Sequence, residues 1–291
     1  MEWIFLALLA PFFWAIVVLL DDNLLRYIYK NPFFGAIISG LFASLPLFAL
    51  FFFPITIPSI TIISFSIAAG ILIIGSYTFY FHTLQERGPS ITVALWSMSP
   101  ALIAILALIF LGEKLSGLNW LGFLLIFSAS LIFSITNIKK FTIHKSFWLM
   151  LGATSCAAFA AVLSKYIYLQ VNFWTGFVLV SLGMFIAAII LMLYPSKGRK
   201  FIPYIKKNVH HAPIFVFSEL LNVAAIFVSH LAISRGPVSL VKVIGGVQPV
   251  YILLISLVLF PFFPRYFRKS EKLPLKSLLL FMILLGLWLM S

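Results

Sequence analysis

A carboxyl, an amide and an imidazole recur within one otherwise apolar stretch of this chain, at Glu219, Asn222 and His230. Spacings of three and eleven residues bring them to one side of a helix. An ionised group deep in hydrocarbon costs about 2.5–3.5 kcal/mol on insertion scales, so a carboxyl kept there points to water, cargo or a partner within reach. Glu219 could bind a cationic or amino group of a solute, or take up and release a proton. The plainer alternative is a helix-pairing contact with Lys242 or a neighbouring hydroxyl. Lys242 and Gln248 belong to a second polar group, around Gly245-Gly246-Val247-Gln248-Pro249. Two glycines and a proline weaken a helix there, either as a simple kink or to offer freed carbonyls and amides to a polar solute. Ser97, Ser99 and Pro100 form the matching region of the first half, with Trp96 as a stacking wall. Tyr77 and Tyr80 sit one turn apart, suited to core packing with a satisfied hydroxyl or to solute contact. The candidate solute-binding or coupling residues are thus Glu219, Asn222, Lys242, Gln248, His230, Tyr77 and Trp96.

The elements that must position them follow from composition. Hydrophobic residues make up 63% of the 291 and charged residues 9%, with mean hydropathy +1.15. A soluble domain of that make-up would need an apolar surface, so the chain is an integral membrane protein. Apolar runs of helical membrane-crossing length recur throughout, and the short alternating segments of a membrane β-barrel are missing. The pattern predicts an all-α polytopic protein with ten transmembrane helices, at 3–20, 33–53, 60–81, 90–111, 118–135, 147–168, 173–193, 212–233, 238–260 and 274–290. No cleavable leader is expected, because the first run is long and lacks a basic flank before it.

A phrase stated twice suggests how these runs are organised. His82-x-x-x-x-Arg87-Gly88-Pro89 precedes an apolar run broken at Pro100, and His230-x-x-x-x-Arg235-Gly236-Pro237 precedes one broken at Pro249. Leu20-Asp21-Asp22 aligns likewise with Leu163-Ser164-Lys165, and Gly40 with Gly183. We therefore expect two five-helix repeats, 1–138 and 146–291. Five is odd, so the second enters the membrane from the opposite side, giving inverted repeats of the kind that build alternating-access carriers. The positions equivalent to Glu219 and Asn222 are Ile71 and Ile74, so the polar patch belongs to one half only.

Of the 20 Lys and Arg, 16 fall in odd-numbered connections. The positive-inside bias puts those connections in the cytoplasm and both termini outside. The even side holds Lys114, Lys165, Arg235 and Lys242. Segment 197–211 mixes bases with Phe201, Ile202, Tyr204, Ile205 and Val209, as expected of a stretch lying on anionic headgroups. Small residues at four-residue intervals (Gly35, Ser39, Ala43; Gly152, Cys156, Ala160, Ser164) are expected to be packing seams. His82, with Arg87 and Arg235 before their Gly-Pro turns, suits the ends of spans, and Asp22 and Lys165 suit the interface. Glu113-Lys114 is expected to serve a corner rather than a site.

Pro100 followed by an apolar run into Leu111-Gly112-Glu113-Lys114-Leu115, then Asn119-Trp120-Leu121-Gly122 and Leu125-Ile126, resembles the EamA-type signature of the drug/metabolite transporter superfamily. The ten-span duplicated layout is similar too. After Pro249 the second half departs from the signature, reading Phe260-Pro261-Phe262-Phe263-Pro264 without the Leu-Gly-Glu element, so its corner is expected to be built differently. Members often keep both termini in the cytoplasm, against the charge count here. The resemblance implies a secondary-active transporter of small organic solutes, of the amino acid, metabolite or drug efflux type, working by gradient-coupled export or exchange.

Other chemistries find little support. Cys156 is the sole cysteine, which excludes an internal disulfide and paired-thiol metal sites. Asp21-Asp22 lacks the further acid of a metal–diphosphate motif, and no Gly-rich loop with its lysine could cradle a nucleotide. No metal or cofactor is expected, and an enzyme is not. Expected partners are a small-molecule solute and membrane lipids, with a homodimer left open and no nucleic acid, in the cytoplasmic (plasma) membrane. Two other readings stand beside the carrier. A lipid or lipid-linked-sugar flippase would show a lateral opening lined by Phe and Arg. A non-transporting receptor or scaffold would have a packed interior with no cavity.

Overall fold

The computed structural model describes residues 2–25, 31–135, 145–194, 198–208, 210, 212–259 and 273–290. Arg26, Lys30, Lys139, Lys140, Lys197, the four bases between 265 and 272, and the Phe260–Pro264 corner lie outside the described residues.

Among those described, all regular structure is helical. The helices are α1 (Glu2–Leu24), α2 (Pro32–Phe42), α3 (Ile60–Arg87), α4 (Pro89–Trp96), α5 (Ser99–Leu111), α6 (Gly117–Ile135), α7 (Lys145–Gln170), α8 (Phe173–Leu193), α9 (Phe201–Lys207), α10 (Ala212–Arg235), α11 (Val238–Gly245), α12 (Gln248–Leu259) and α13 (Leu273–Met290), with 3-10 turns at Leu45–Phe51 and Gly198–Lys200. Seven helical stretches are long and apolar enough to cross a bilayer: Glu2–Asp22, Pro32–Phe51, Ile60–Arg87, Lys145–Gln170, Phe173–Leu193, Ala212–Arg235 and Val238–Ile255. Three apolar helices are shorter, Ser99–Leu111, Gly117–Ala129 and Leu278–Met290.

Local chemistry sets the boundaries. The Asn172 side chain accepts the Thr175 amide at 2.8 Å to start α8, and Asn31 accepts from Phe33 at 3.2 Å ahead of Pro32 in α2. Gly112, with φ 61°, supplies the left-handed residue that ends α5. Two expected spans prove to be broken pairs. Residues 90–111 divide into α4 and α5, and 238–260 into α11 and α12. Pro100 and Pro249 have no amide to give to Trp96 and Gly245, and the ladder tightens just ahead of each. Met98 reaches back to Leu95 at 3.2 Å, and Val247 to Ile244 at 3.0 Å. The second span also changes character, passing from α2 into the 3-10 turn at Leu45–Phe51. In the other direction, α1 runs past its expected end and carries Asp21 and Asp22 as helical residues.

Packing follows the small residues. A Cβ on Gly40 would stand 2.6 Å from that of Ala188, so α2 and α8 approach at backbone distance. Gly122 and Gly286 do the same for α6 and α13, each facing the other's carbonyl. Of the expected seams, Gly35 lies under the Phe81 ring and Gly152 under Phe79. One apolar cluster joins α5, α6, α11 and α13 with the start of α1; a second joins the rest of α1 to α2, α3 and α8. In the 197–211 segment, α9 is anchored from above by Phe201 and Tyr204, whose rings meet Phe34 of α2 at 5.6 and 4.8 Å.

Polar contacts close the two ends of the bundle. At one end, Glu2 pairs with Arg235 at 2.9 Å, and Lys165 donates to the carbonyls of Ile233 and Gly236 at 3.0 and 2.9 Å. There too Glu113 accepts the amides of Val238 and Ser239 at 2.7 and 3.1 Å, and the Ser239 hydroxyl besides. Lys165 thus caps the C-terminus of α10 while Glu113 caps the N-terminus of α11, the placements the helix dipole favours. At the other end, Arg87 donates to Ser146 at 3.2 Å, Ser146 donates to Glu86 at 3.3 Å, and Lys145 stands 3.7 Å from Glu86.

Candidate solute cavity

Helices α1, α3, α4, α5, α7, α10, α11 and α12 surround a cavity of about 130 Å³. A water needs about 10–15 Å³, so there is space for a small organic molecule. The floor is formed by both helix breaks, with Trp96, Ser97, Ser99 and Pro100 from one and Gly245, Gly246, Gln248 and Pro249 from the other. Because neither proline carries an N–H, the carbonyls of Trp96 and Gly245 lack the donor a continuous helix would give them. α1 contributes Trp14 and Asp21, and α3 contributes Tyr77 and Tyr80. The lining on these two helices lies toward their C-terminal ends, so the cavity extends from mid-bundle toward the Arg87–Lys145 end.

Asn222 organises the polar wall. Its carbonyl oxygen accepts from the Trp14 indole at 3.2 Å and from the Tyr77 hydroxyl at 3.4 Å, and its NH2 donates to Glu219 at 3.1 Å. Glu219 is buried and stands behind the lining, where it also accepts the Ser39 hydroxyl at 2.8 Å. The helix-pairing contact with a hydroxyl is therefore present; among the described residues no base clamps this carboxyl, and it touches the cavity through Asn222. Lys242, from α11, donates to the Ser229 hydroxyl at 3.1 Å and holds its ammonium 5.7 Å from the centre of the Trp14 ring. Trp96 meets Tyr80 edge-on at 5.8 Å.

Five of the seven candidates, Asn222, Lys242, Gln248, Tyr77 and Trp96, thus share this one cavity, with Glu219 a hydrogen bond away. His230 is not in its wall. It is buried on the same helix and bonded to the Tyr168 hydroxyl at 2.6 Å, beside the Phe177 ring. His82 likewise turns back to the Thr78 carbonyl at 2.7 Å. Glu113 serves the corner, as expected, and Lys165 makes backbone contacts at the bundle end.

Residues 1–135 match the model of the EamA-like transporter family. This segment is an EamA-like domain of the drug/metabolite transporter superfamily. The EamA resemblance drawn from Pro100 and the Leu111–Leu115 corner is thereby borne out, and with it the coarse class of membrane transporter. No curated protein matches the chain. Among solved structures 28 chains match it. One of them, a crystal structure, aligns with a TM-score of 0.68 and 16% identity, over 100% of this chain and 96% of its own. At that identity the likeness is one of fold.

Within the EamA-like domain, sequence reasoning passed over Asp21 and Trp14 as cavity residues, and weighed Tyr80 for solute contact without adding it to the candidates. A signal existed for the first two. Trp14, Val17, Val18 and Asp21 repeat at helical intervals along one face of α1. Asp21 is 5% exposed and accepts from Ser218 at 3.4 Å, the neighbour of Glu219. Placing the end of the first span at residue 20 hid that face.

Proposed function

We propose that the chain is a secondary-active carrier of small organic solutes, working by alternating access between two inverted five-helix repeats, 1–138 and 146–291. The observation that carries this reading is the mid-bundle cavity floored by two broken helices and walled by Asp21, Asn222, Lys242 and Gln248. Buried polar groups that face a cavity in a membrane protein mark solute and ion paths. A purely structural scaffold would have no use for such a cavity. Both Pro-broken helices follow an Arg-Gly-Pro phrase, which favours duplication. In this reading Glu219 is the coupling group, exchanging a proton as the Asn222 wall meets or loses its cargo. The charge count makes the Arg87–Lys145 end, toward which the cavity extends, the cytoplasmic one.

The test is flux in proteoliposomes with an imposed proton gradient, using solutes first selected by thermal shift. Glu219→Gln retains an oxygen for the Ser39 hydroxyl and should abolish gradient-driven uptake while leaving solute exchange at equal pH. Undiminished, still pH-sensitive uptake by this variant would remove Glu219 from the mechanism. Absence of flux for every solute that binds the wild-type protein would sink the carrier reading itself.

A further inference from the structure

Two groups of opposite charge type, Asp21 and Lys242, face the cavity, and neither is paired with an opposite charge among the described residues. Asp21 is met by the Ser218 hydroxyl, leaving most of its lone-pair sites unused. The Lys242 ammonium donates to Ser229, which leaves two of its three donors. Burying charges in this way is costly unless something else completes them. Were the two groups close, they would satisfy each other, and their spacing prevents that.

The spacing can be worked from α1. Lys242 sits over the Trp14 ring, and Asp21 lies seven residues further along the same helix. Seven residues are two turns, so both project from one face, about 10 Å apart along the axis. Side chains of one helix tilt the same way, which carries that separation out to the cavity. Charge-assisted hydrogen bonds of about 2.8 Å at each end leave at least about 4 Å between the charged ends of a bound molecule. Between the two charges the wall is aromatic, with Trp14, Tyr77, Tyr80 and Trp96.

Resting on the carrier reading for its site, we infer that the cavity takes a dipolar solute: an ammonium group held by Asp21, an acid group held by Lys242, and an apolar spacer of several carbons lying along the aromatic wall. An α-amino acid, with its two charges on neighbouring groups, is too short to reach both walls at once.

The experiment is binding to the purified, detergent-solubilised full chain, by calorimetry or thermal shift. The probes are 4-aminobutyrate, 6-aminohexanoate, leucine, and the singly charged hexylamine and hexanoate. At least one ω-amino acid should bind ten-fold or more tighter than leucine, hexylamine and hexanoate. Asp21→Asn should erase its advantage over hexanoate, and Lys242→Gln its advantage over hexylamine, each variant keeping a wild-type melting profile without ligand. The inference is overturned if leucine or either singly charged probe binds as well as the ω-amino acids, if no ω-amino acid binds, or if both variants keep the preference. The carrier reading has its own failure: dipolar binding without flux sinks it and leaves this inference, and flux without charge preference does the reverse.

Discussion

Glu113→Ala is the sharpest test of how the bundle is held together. In the structure its carboxylate accepts two amides, of Val238 at 2.7 Å and Ser239 at 3.1 Å, with the Ser239 hydroxyl as a third donor. Val238 and Ser239 are 0% and 1% exposed, so their amides have little access to replacement water. Leaving a buried amide unsatisfied costs about 1–3 kcal/mol. Glu113 itself is half-buried, which lets water recover part of that. The expected loss is therefore about 3 kcal/mol, above the roughly 0.5–2 kcal/mol that removal of an ordinary helix N-cap costs, because two buried amides lose their acceptor together. At roughly 2–3 °C per kcal/mol for a chain of this size, the unfolding midpoint should fall by about 6–9 °C. Glu113→Gln keeps one acceptor and should lose about half as much. Differential scanning fluorimetry on intrinsic tryptophan reads both directly. An alanine variant melting within 1 °C of wild type would refute the capping argument, since the two amides would then have found other partners at no cost.

The repeated Arg-Gly-Pro phrase makes a second test, because its two glycines are required for different reasons. Gly88 has φ 75° and ψ 176°, a conformation nearly closed to other residues, so Gly88→Ala should cost about 1–3 kcal/mol in chemical denaturation. At Gly236 a Cβ would meet the Trp3 ring at 2.6 Å, so Trp3→Ala should rescue Gly236→Ala and do nothing for Gly88→Ala; rescue of both, or of neither, contradicts this. Lys165→Met removes the donor to the Ile233 and Gly236 carbonyls and should lower stability by about 1–2 kcal/mol, while Lys165→Arg retains most of it. Gly122→Leu should separate α6 from α13 and cost several degrees in the same fluorimetric assay, because the side chain would have to displace the Gly286 carbonyl.

Much of this was legible in the sequence, for identifiable reasons. Helix in a membrane is enforced by the backbone's need to satisfy itself, so apolar run length located α7, α8 and α10 to within a few residues. Pro100 and Pro249 marked the helix breaks because a missing N–H acts locally. Asn222, Lys242, Gln248, Tyr77 and Trp96 were singled out because polar and aromatic groups in apolar runs are costly or anchoring, and all five line one cavity. What composition could not convey was depth. Asp21 looked like the end of a span because acids usually lie at the interface. Glu219 looked central, yet Ser39 of α2 draws it behind the wall. His230 shares the helix face of Glu219, but Tyr168 of α7 takes its ring away from the cavity. Those outcomes depend on which neighbour crosses each turn, and helical periodicity alone carries no such information.

The corners carry the last step. The Glu113 carboxylate belongs to the first half of the chain, yet it caps α11 in the second, one turn ahead of Lys242. Lys165, just beyond, holds the end of α10 that leads into the same turn. The loop joining α10 to α11 is thus fixed from both sides, by α5 through Glu113 and by α7 through Lys165. Glu2–Arg235 adds an exposed tie of the kind worth little in isolation. At the opposite end the contacts join α3 to α7, both outside the second-half pair of helices that carries Asn222 and Lys242. In the alternating-access cycle proposed above, the first end would open by breaking capping bonds, each needing replacement donors or acceptors, while the second would open by parting one ion pair and two hydrogen bonds that water readily replaces. Weakening Glu113 should accordingly favour the conformer open at the Glu2–Arg235 end, a shift visible as faster labelling of a cysteine introduced at Ser239 by a membrane-impermeant maleimide, with Cys156 replaced by serine. Unchanged labelling in Glu113→Gln would mean that the caps stabilise the fold without setting which side is open.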